Sequence, residues 1–156
     1  MVRPAVEGDK EAICDIWNEV TETSLATFTT ELKSQENIDL TRQFYVVAQA
    51  ESGVVLGFGT YFAFRGGSGY ARTKEHSIYL APAARGQGTG RMIMRALEDH
   101  ARSAGVHSLF AGISGANPEG VAFHEAMGFD HIARLPEVGR KWDRWLDLVL
   151  MQKFLT

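Results

Sequence analysis

Thr73-Lys74-Glu75-His76-Ser77-Ile78-Tyr79-Leu80, then Ala81-Pro82-Ala83-Ala84, then Arg85-Gly86-Gln87-Gly88-Thr89-Gly90 opening an amphipathic run, decides how this chain folds. The first block reads as a strand and the last as the turn into a helix. A turn with three glycines at a helix start leaves backbone N–H groups bare beside the positive end of the helix dipole, which suits phosphate oxygens. An anionic cofactor is expected there. A dinucleotide site wants G-x-G-x-x-G early in the chain and an acidic residue about 20 positions on. Here the sixth position is Arg91 and the motif lies past the midpoint. A nucleoside-triphosphate loop needs Lys after its last glycine, and none follows. What remains is Arg85-x-x-Gly88-x-Gly90.

Working outward, Val2 to Val6 reads as a short strand, and Ile13, Ile16, Trp17 and Val20 fall on one face of a helix. Cys14 lies beside that stripe and reads as a packed thiol. Thr21 to Thr30, rich in Thr and Ser with the lone aromatic Phe28, reads as a loop or broken helix on the substrate side. Phe44 to Ala50 and Val54 to Phe64 flank Glu51-Ser52-Gly53 as a hairpin. Helix Gly90 to Ala104 carries Ile93, Ala96, Leu97 and Ala101 along one stripe and ends at Gly105. Val106 to Ile113 is a strand, and Asn117-Pro118 caps a helix that stops at Gly128. Phe129 to Leu135 and Trp145 to Phe154 complete the strands. The order β, α, β, β, β, α, β, α, β, β predicts an α+β fold, a mixed and mostly antiparallel central sheet flanked by helices in three layers.

With 156 residues, 45% of them apolar and 22% charged, the chain fits a single domain spanning 1–156. A net charge of −3 disfavours a nucleic-acid partner. One cysteine cannot form an internal disulfide, and no Cys/His set has zinc spacing, so no metal is expected. No apolar run approaches ~18 residues, and the first ten residues carry charges at Arg3, Glu7, Asp9 and Lys10. A cytoplasmic protein with no membrane partner is the expectation.

The glycine loop, set between a strand and a long helix, resembles the pyrophosphate loop of the GCN5-related N-acetyltransferases. End to end, the chain resembles the branch that acetylates phosphinothricin and methionine sulfoximine or sulfone. The matching stretches are Cys14 to Asn18, Glu22-Thr23-Ser24 with Phe28, Thr73 to Leu80, the glycine loop, Phe123 to Phe129, and Val138 to Leu148. The resemblance implies the acyl-CoA N-acyltransferase fold, acetyl-CoA as co-substrate, a small-molecule amine as acceptor and a homodimer. Two departures bear on the acceptor. Many relatives carry Arg where this chain has Ala71, with a guanidinium displaced to Arg72, and the segment from Lys33 to Phe44 is shorter. Gly120 stands where the family usually has a small hydroxyl residue.

An amine attacks a thioester as the free base, so a proton acceptor is needed, and Glu75 is the candidate, sharing a strand face with Thr73, Ser77 and Tyr79. Half-burial would raise its pKa into a useful range. By resemblance, Ile78, Tyr79 and Leu80 run along the pantetheine arm, and the Leu80 N–H faces the thioester oxygen. Arg85, Gly86, Gln87, Gly88, Thr89 and Gly90 bind pyrophosphate, mainly through backbone N–H groups, with Arg85 adding charge. Asn117 is an N-cap that also meets the pantetheine. His124 matches a histidine near the CoA sulfur, as a cofactor contact or the acid that protonates the departing thiolate. Phe28, Tyr70, Arg72 and Thr73 form the substrate side. His76 and His131 receive no role, and Lys141 and Trp142 are expected in a turn. The reading is direct acetyl transfer to a small amino-acid-like amine. The alternatives are an enzyme acting on a protein N-terminus or an aminoglycoside, and a non-catalytic acyl-CoA sensor.

Overall fold

A computed structural model describes residues 1–156, Met1–Thr156. Its elements follow the predicted order: β1 (Val2–Pro4), α1 (Lys10–Thr23), β2 (Tyr45–Gln49), β3 (Val55–Ala63), β4 (Thr73–Leu80), α2 (Thr89–Ser103), β5 (Ser108–Ser114), α3 (Pro118–Ala126), β6 (Asp130–Lys141) and β7 (Arg144–Phe154). The strands form one seven-stranded sheet in the order β1-β2-β3-β4-β5-β7-β6. Every pairing is antiparallel except β4 with β5. No helix is long and apolar enough to cross a membrane.

Strand alternation sorts the core onto the two faces of the sheet. On one, Ile13, Cys14 and Ile16 of α1 pack on Tyr45, Val47 and Phe58. On the other, Ile93 and Leu97 of α2 pack on Val46 and Ala48, while Met94 and Ala101 join Leu109, Ala111 and Ile113. Both Gly57 and Gly59 lie under α2, and a Cβ on Gly59 would meet Leu97 Cδ1 at 2.6 Å, so α2 seats directly on bare backbone.

The ends of β1 and β6 differ from the sequence reading. β1 ends at Pro4, and Val6 instead starts a short 3-10 turn whose Asp9 carboxylate accepts from the Val6 N–H at 2.8 Å and pairs with Arg3. β6 does not stop at Leu135. It runs on to Lys141 through a bulge between Leu135 and Gly139, where Glu137 takes φ of 52°. Asp147 of the partner strand holds that bulge by accepting from the Glu137 N–H at 2.9 Å and from Arg134 at 2.7 Å. The β6–β7 connection is therefore the two-residue turn Trp142-Asp143, both left-handed, as tight hairpins require. Lys141 is thus the last residue of a strand and is buried.

Candidate active site

The site begins where the parallel pair comes apart. The β4–β5 ladder stops at His76↔Ala111, so Ser77 to Leu80 and Gly112 to Ser114 run on with no strand between them. On its other side β4 stays paired with β3 as far as Leu80, and the Ala81 N–H donates to Leu56 at 2.8 Å. Because paired and unpaired residues alternate along an antiparallel ladder, the N–H and C=O groups of Ile78 and Leu80 turn away from β3 into the gap. Tyr79 differs: its backbone faces β3, and its ring packs on Trp17 and Phe58.

A cavity of about 570 Å³ fills the gap and continues under the first turn of α2. Ile78, Tyr79 and Leu80 line it, as do Gly86, Gly88, Thr89 and Gly90. Gly86 and Gly88 have φ of 77° and 80°, a left-handed conformation that costs other residues energy. A Cβ on either would meet nothing within 4 Å, so the glycines keep the loop in that conformation and clear of side chains. Gly90 serves packing, since a Cβ there would lie 3.3 Å from Phe123. The Arg85 and Gln87 side chains do not line the cavity. Arg85 reaches Glu19 of α1 at 3.3 Å and the Leu80 carbonyl at 3.4 Å, and Gln87 donates to the Ala83 carbonyl at 2.9 Å. Both side chains brace the loop.

Across the gap, Asn117 lines the cavity and caps α3, its Oδ1 accepting from the Gly120 N–H at 3.1 Å. His124 lines the same wall and its Nδ1 lies 2.7 Å from the Gly120 carbonyl. Burial pushes its pKa below the ordinary value. His76, given no role from sequence, also lines the cavity, and its Nε2 sits 2.9 Å from Nε2 of His124.

Glu75 sits on the opposite sheet face from His76, with Phe62 and Phe110 as its strand neighbours. Its carboxylate has no ion pair, and burial pushes its pKa up. Oε2 lies 3.0 Å from where a Cβ on Gly112 would stand. Gly112 lines the cavity and Glu75 does not, so the carboxylate stands behind Gly112, where the missing side chain leaves it room. Beyond it runs an aromatic row: Phe64 stacks on Phe110 at 4.5 Å, and Tyr70 follows at 6.5 Å from Phe64, with Arg65 over its ring. Thr73 begins β4 on the Glu75 face. Arg72 precedes the strand, so strand alternation does not fix where it points; its guanidinium is exposed and its carbonyl accepts from His107 and Ser108.

The loop after α1 reaches the cavity through Ala26. Phe28 lies on Gly139, where a Cβ would come within 2.5 Å of the ring. Lys141 crosses from β6 and donates to the Thr21 carbonyl at 2.7 Å, the Ser24 carbonyl at 2.7 Å and Thr27 Oγ1 at 2.9 Å. All three ammonium protons are used, two of them on carbonyls around the C-terminal end of α1. The loop's far end is tied by reciprocal bonds between Asn18 and Lys33, at 2.9 and 2.7 Å. Sequence reasoning missed Gly112, the Phe64–Phe110 pair and the reach of Lys141. Only Gly112 left a sequence signal, a glycine inside a strand. Cys14 is buried in the α1 core, and burial raises its thiol pKa, which leaves it inert.

The acetyltransferase (GNAT) family model matches residues 10–129. The chain belongs to that family. It is 41% identical over 107 residues to an L-methionine sulfoximine/L-methionine sulfone acetyltransferase of Salmonella typhimurium, a match covering 69% of this chain and 63% of that protein. An L-amino acid N-acyltransferase, MnaT, of Escherichia coli is 33% identical across 97% of this chain and 91% of its own. Among solved structures, a phosphinothricin acetyltransferase from Sinorhizobium meliloti in complex with AcCoA superposes with a TM-score of 0.92 at 34% identity, covering 99% of this chain and 87% of that one. The gap between β4 and β5 thus belongs to a GNAT fold.

Proposed function

We propose that this GNAT chain is an acetyl-CoA-dependent N-acetyltransferase acting by direct transfer on a small amino-acid-like amine of the phosphinothricin, methionine sulfoximine or methionine sulfone type. The observation that carries the reading is the continuous path from the left-handed glycines of the loop, along the unpaired amides of Ile78 and Leu80, to the gap beside Glu75. Bound there, acetyl-CoA would supply an activated acyl thioester.

The chain's own residues fit that ligand. Arg85 to Gly90 offer backbone N–H groups and the positive end of α2 to a pyrophosphate, on a loop with open space where side chains would project. Ile78 and Leu80 offer strand hydrogen bonds to the pantetheine amides, and the Leu80 N–H serves developing negative charge on the thioester oxygen. Tyr79 supports the strand from behind through Trp17. Asn117, which caps α3, stands beside the arm, and His124 stands at the sulfur end. Glu75 takes the proton of the attacking amine, a role suited by the upward push that burial gives its pKa. Phe28, Tyr70, Arg72 and Thr73 define the acceptor side, extended by Phe64 and Phe110. No acetyl-enzyme is invoked, since Cys14 is sealed in the core.

We assign the protein to the cytoplasm as a homodimer of single-domain subunits. Exposed Ile132, Val138, Trp142 and Trp145, all on the terminal β6–β7 hairpin, support the dimer. The buried, unpaired Cys14 suits a reducing compartment.

The test is thiol release from acetyl-CoA across phosphinothricin, methionine sulfoximine, methionine sulfone, a short peptide and an aminoglycoside. Saturable release with one of the first three is expected. Release only with the peptide or aminoglycoside would move the acceptor class, and tight coenzyme binding with no release for any amine would make the chain a sensor.

A further inference from the structure

His76 and His124 form a hydrogen-bonded chain that is one proton short. His76 Nδ1 lies 3.0 Å from the Phe110 carbonyl, the two Nε2 atoms are 2.9 Å apart, and His124 Nδ1 lies 2.7 Å from the Gly120 carbonyl. A carbonyl only accepts, so each Nδ1 must carry its proton. A neutral imidazole has one proton, which leaves the facing Nε2 atoms as two lone pairs at hydrogen-bond distance. Three contacts need three protons, and two neutral rings bring two.

We infer that His76 and His124 act as one dyad that binds a single proton between their Nε2 atoms, with His76 the positioning residue that holds His124 and its proton at the sulfur end of the cavity. This rests on the acetyl-transfer reading for its consequence, but not for its existence. Burial pushes both rings away from the charged form, so one added proton is held by the hydrogen-bond geometry against that push, and a second is resisted further. Two carbonyl oxygens point at the ends of the chain, and His124 lies in the last turn of α3, where the helix dipole favours a cation. The edges and faces of Phe123 and Phe129 enclose the rings, with Phe129 5.4 Å from His76 and 5.1 Å from His124. Burial and the neighbouring charge of His124 push His76 down to about 3, so it does not become a second cation.

The charged groups nearby are few. Glu119 and Arg91 stand on the cavity wall, and Lys153, paired with Glu98 at 2.6 Å, lies behind Phe129. Glu75 faces the other side of the sheet. None of these bonds to either ring.

During transfer the amine nitrogen would bond to the thioester carbonyl carbon, and the C–S bond would break with its electron pair staying on sulfur. The dyad's shared proton passes to that sulfur, giving the free thiol and leaving two neutral imidazoles, each with its proton on Nδ1. Solvent then returns the third proton. The amine's own proton goes separately to Glu75.

Protein labelled with ¹⁵N in its histidines tests this without coenzyme or acceptor. The dyad predicts one titration that takes up one proton and shifts both rings together, with both Nδ1 atoms protonated on either side of it. His76→Gln replaces the shared proton with a neutral amide donor, so His124 should lose that titration while keeping its Nδ1 proton. The same variant should lower kcat at least tenfold and leave KM for acetyl-CoA within about twofold, whereas His76→Leu should also disorder His124 and raise that KM. Two independent titrations, or two rings neutral throughout the active pH range, would overturn the dyad. A joint titration with His76→Gln at wild-type kcat would overturn its part in catalysis. If wild-type protein releases no thiol with any amine, the acetyl-transfer reading fails, and the proton count of the dyad is still decided by the spectra.

Discussion

Replacing Glu75 with glutamine should damage turnover and improve stability together, a combination that a structural carboxylate does not give. The amide matches the carboxylate in size, so the close approach over Gly112 is kept. General-base catalysis contributes about 10²- to 10⁴-fold, so kcat should fall by that factor, or about 3–5 kcal/mol of barrier. The pH dependence carries a sign. Burial without a partner raises the folded-state pKa of Glu75, so the folded chain holds this proton to higher pH than the unfolded chain does. The unfolded state then binds fewer protons across that window, and stability falls as pH rises from the unfolded carboxyl value of about 4.3 through the folded one. Glutamine removes that fall. Against wild type, the variant should be equally stable in acid and more stable at neutral pH in urea unfolding. Its thiol-release rate should also lack the loss that wild type shows as pH drops through the Glu75 titration. A variant less stable at neutral pH, or one that keeps the acid limb of the rate profile, would refute the assignment of Glu75 as the base.

Three further substitutions probe separate parts of the molecule. Lys141→Met removes three hydrogen bonds from a charged donor, offset in part by relief of a buried ammonium. A net loss of about 2 kcal/mol is expected, or a drop in Tm of ~4–8 °C by thermal unfolding, with KM for the amine rising more than KM for acetyl-CoA. Gly88→Ala forces a Cβ onto a left-handed residue in open space; strain of about 1–2 kcal/mol in the loop should weaken acetyl-CoA binding roughly tenfold by calorimetry, with little change in kcat. Gly59→Ala drives a methyl into Leu97 and Ile93, which should cost about 1–3 kcal/mol in urea unfolding while kcat stays at the wild-type value.

The order of elements was legible because each carries a local signal: the 3.6-residue stripe in α1 and α2, and the helix stops at Gly105 and Gly128, both left-handed in the structure. The shape of the glycine loop was legible for the same reason, since Gly86 and Gly88 are left-handed directly ahead of α2. Pairings between distant residues were not. His76 and His124 are 48 positions apart and meet only because α3 packs on β5, whose pairing with β4 ends at His76. Lys141 reads as a charged residue next to a turn, and its burial depends on the β6 bulge and on α1 ending 118 residues earlier. Arg85 pairs with Glu19 of α1, a partner that no local pattern announces.

On the proposed function, the unpaired edge of β4 receives the arm of acetyl-CoA. Amide hydrogen exchange at Ile78 and Leu80, measured with and without saturating acetyl-CoA, tests it most directly. Fast exchange is expected at both amides in the free protein and strong slowing once the coenzyme is bound, with Tyr79 slow in both states. Saturable binding that leaves Ile78 and Leu80 exchanging at the free rate would contradict it.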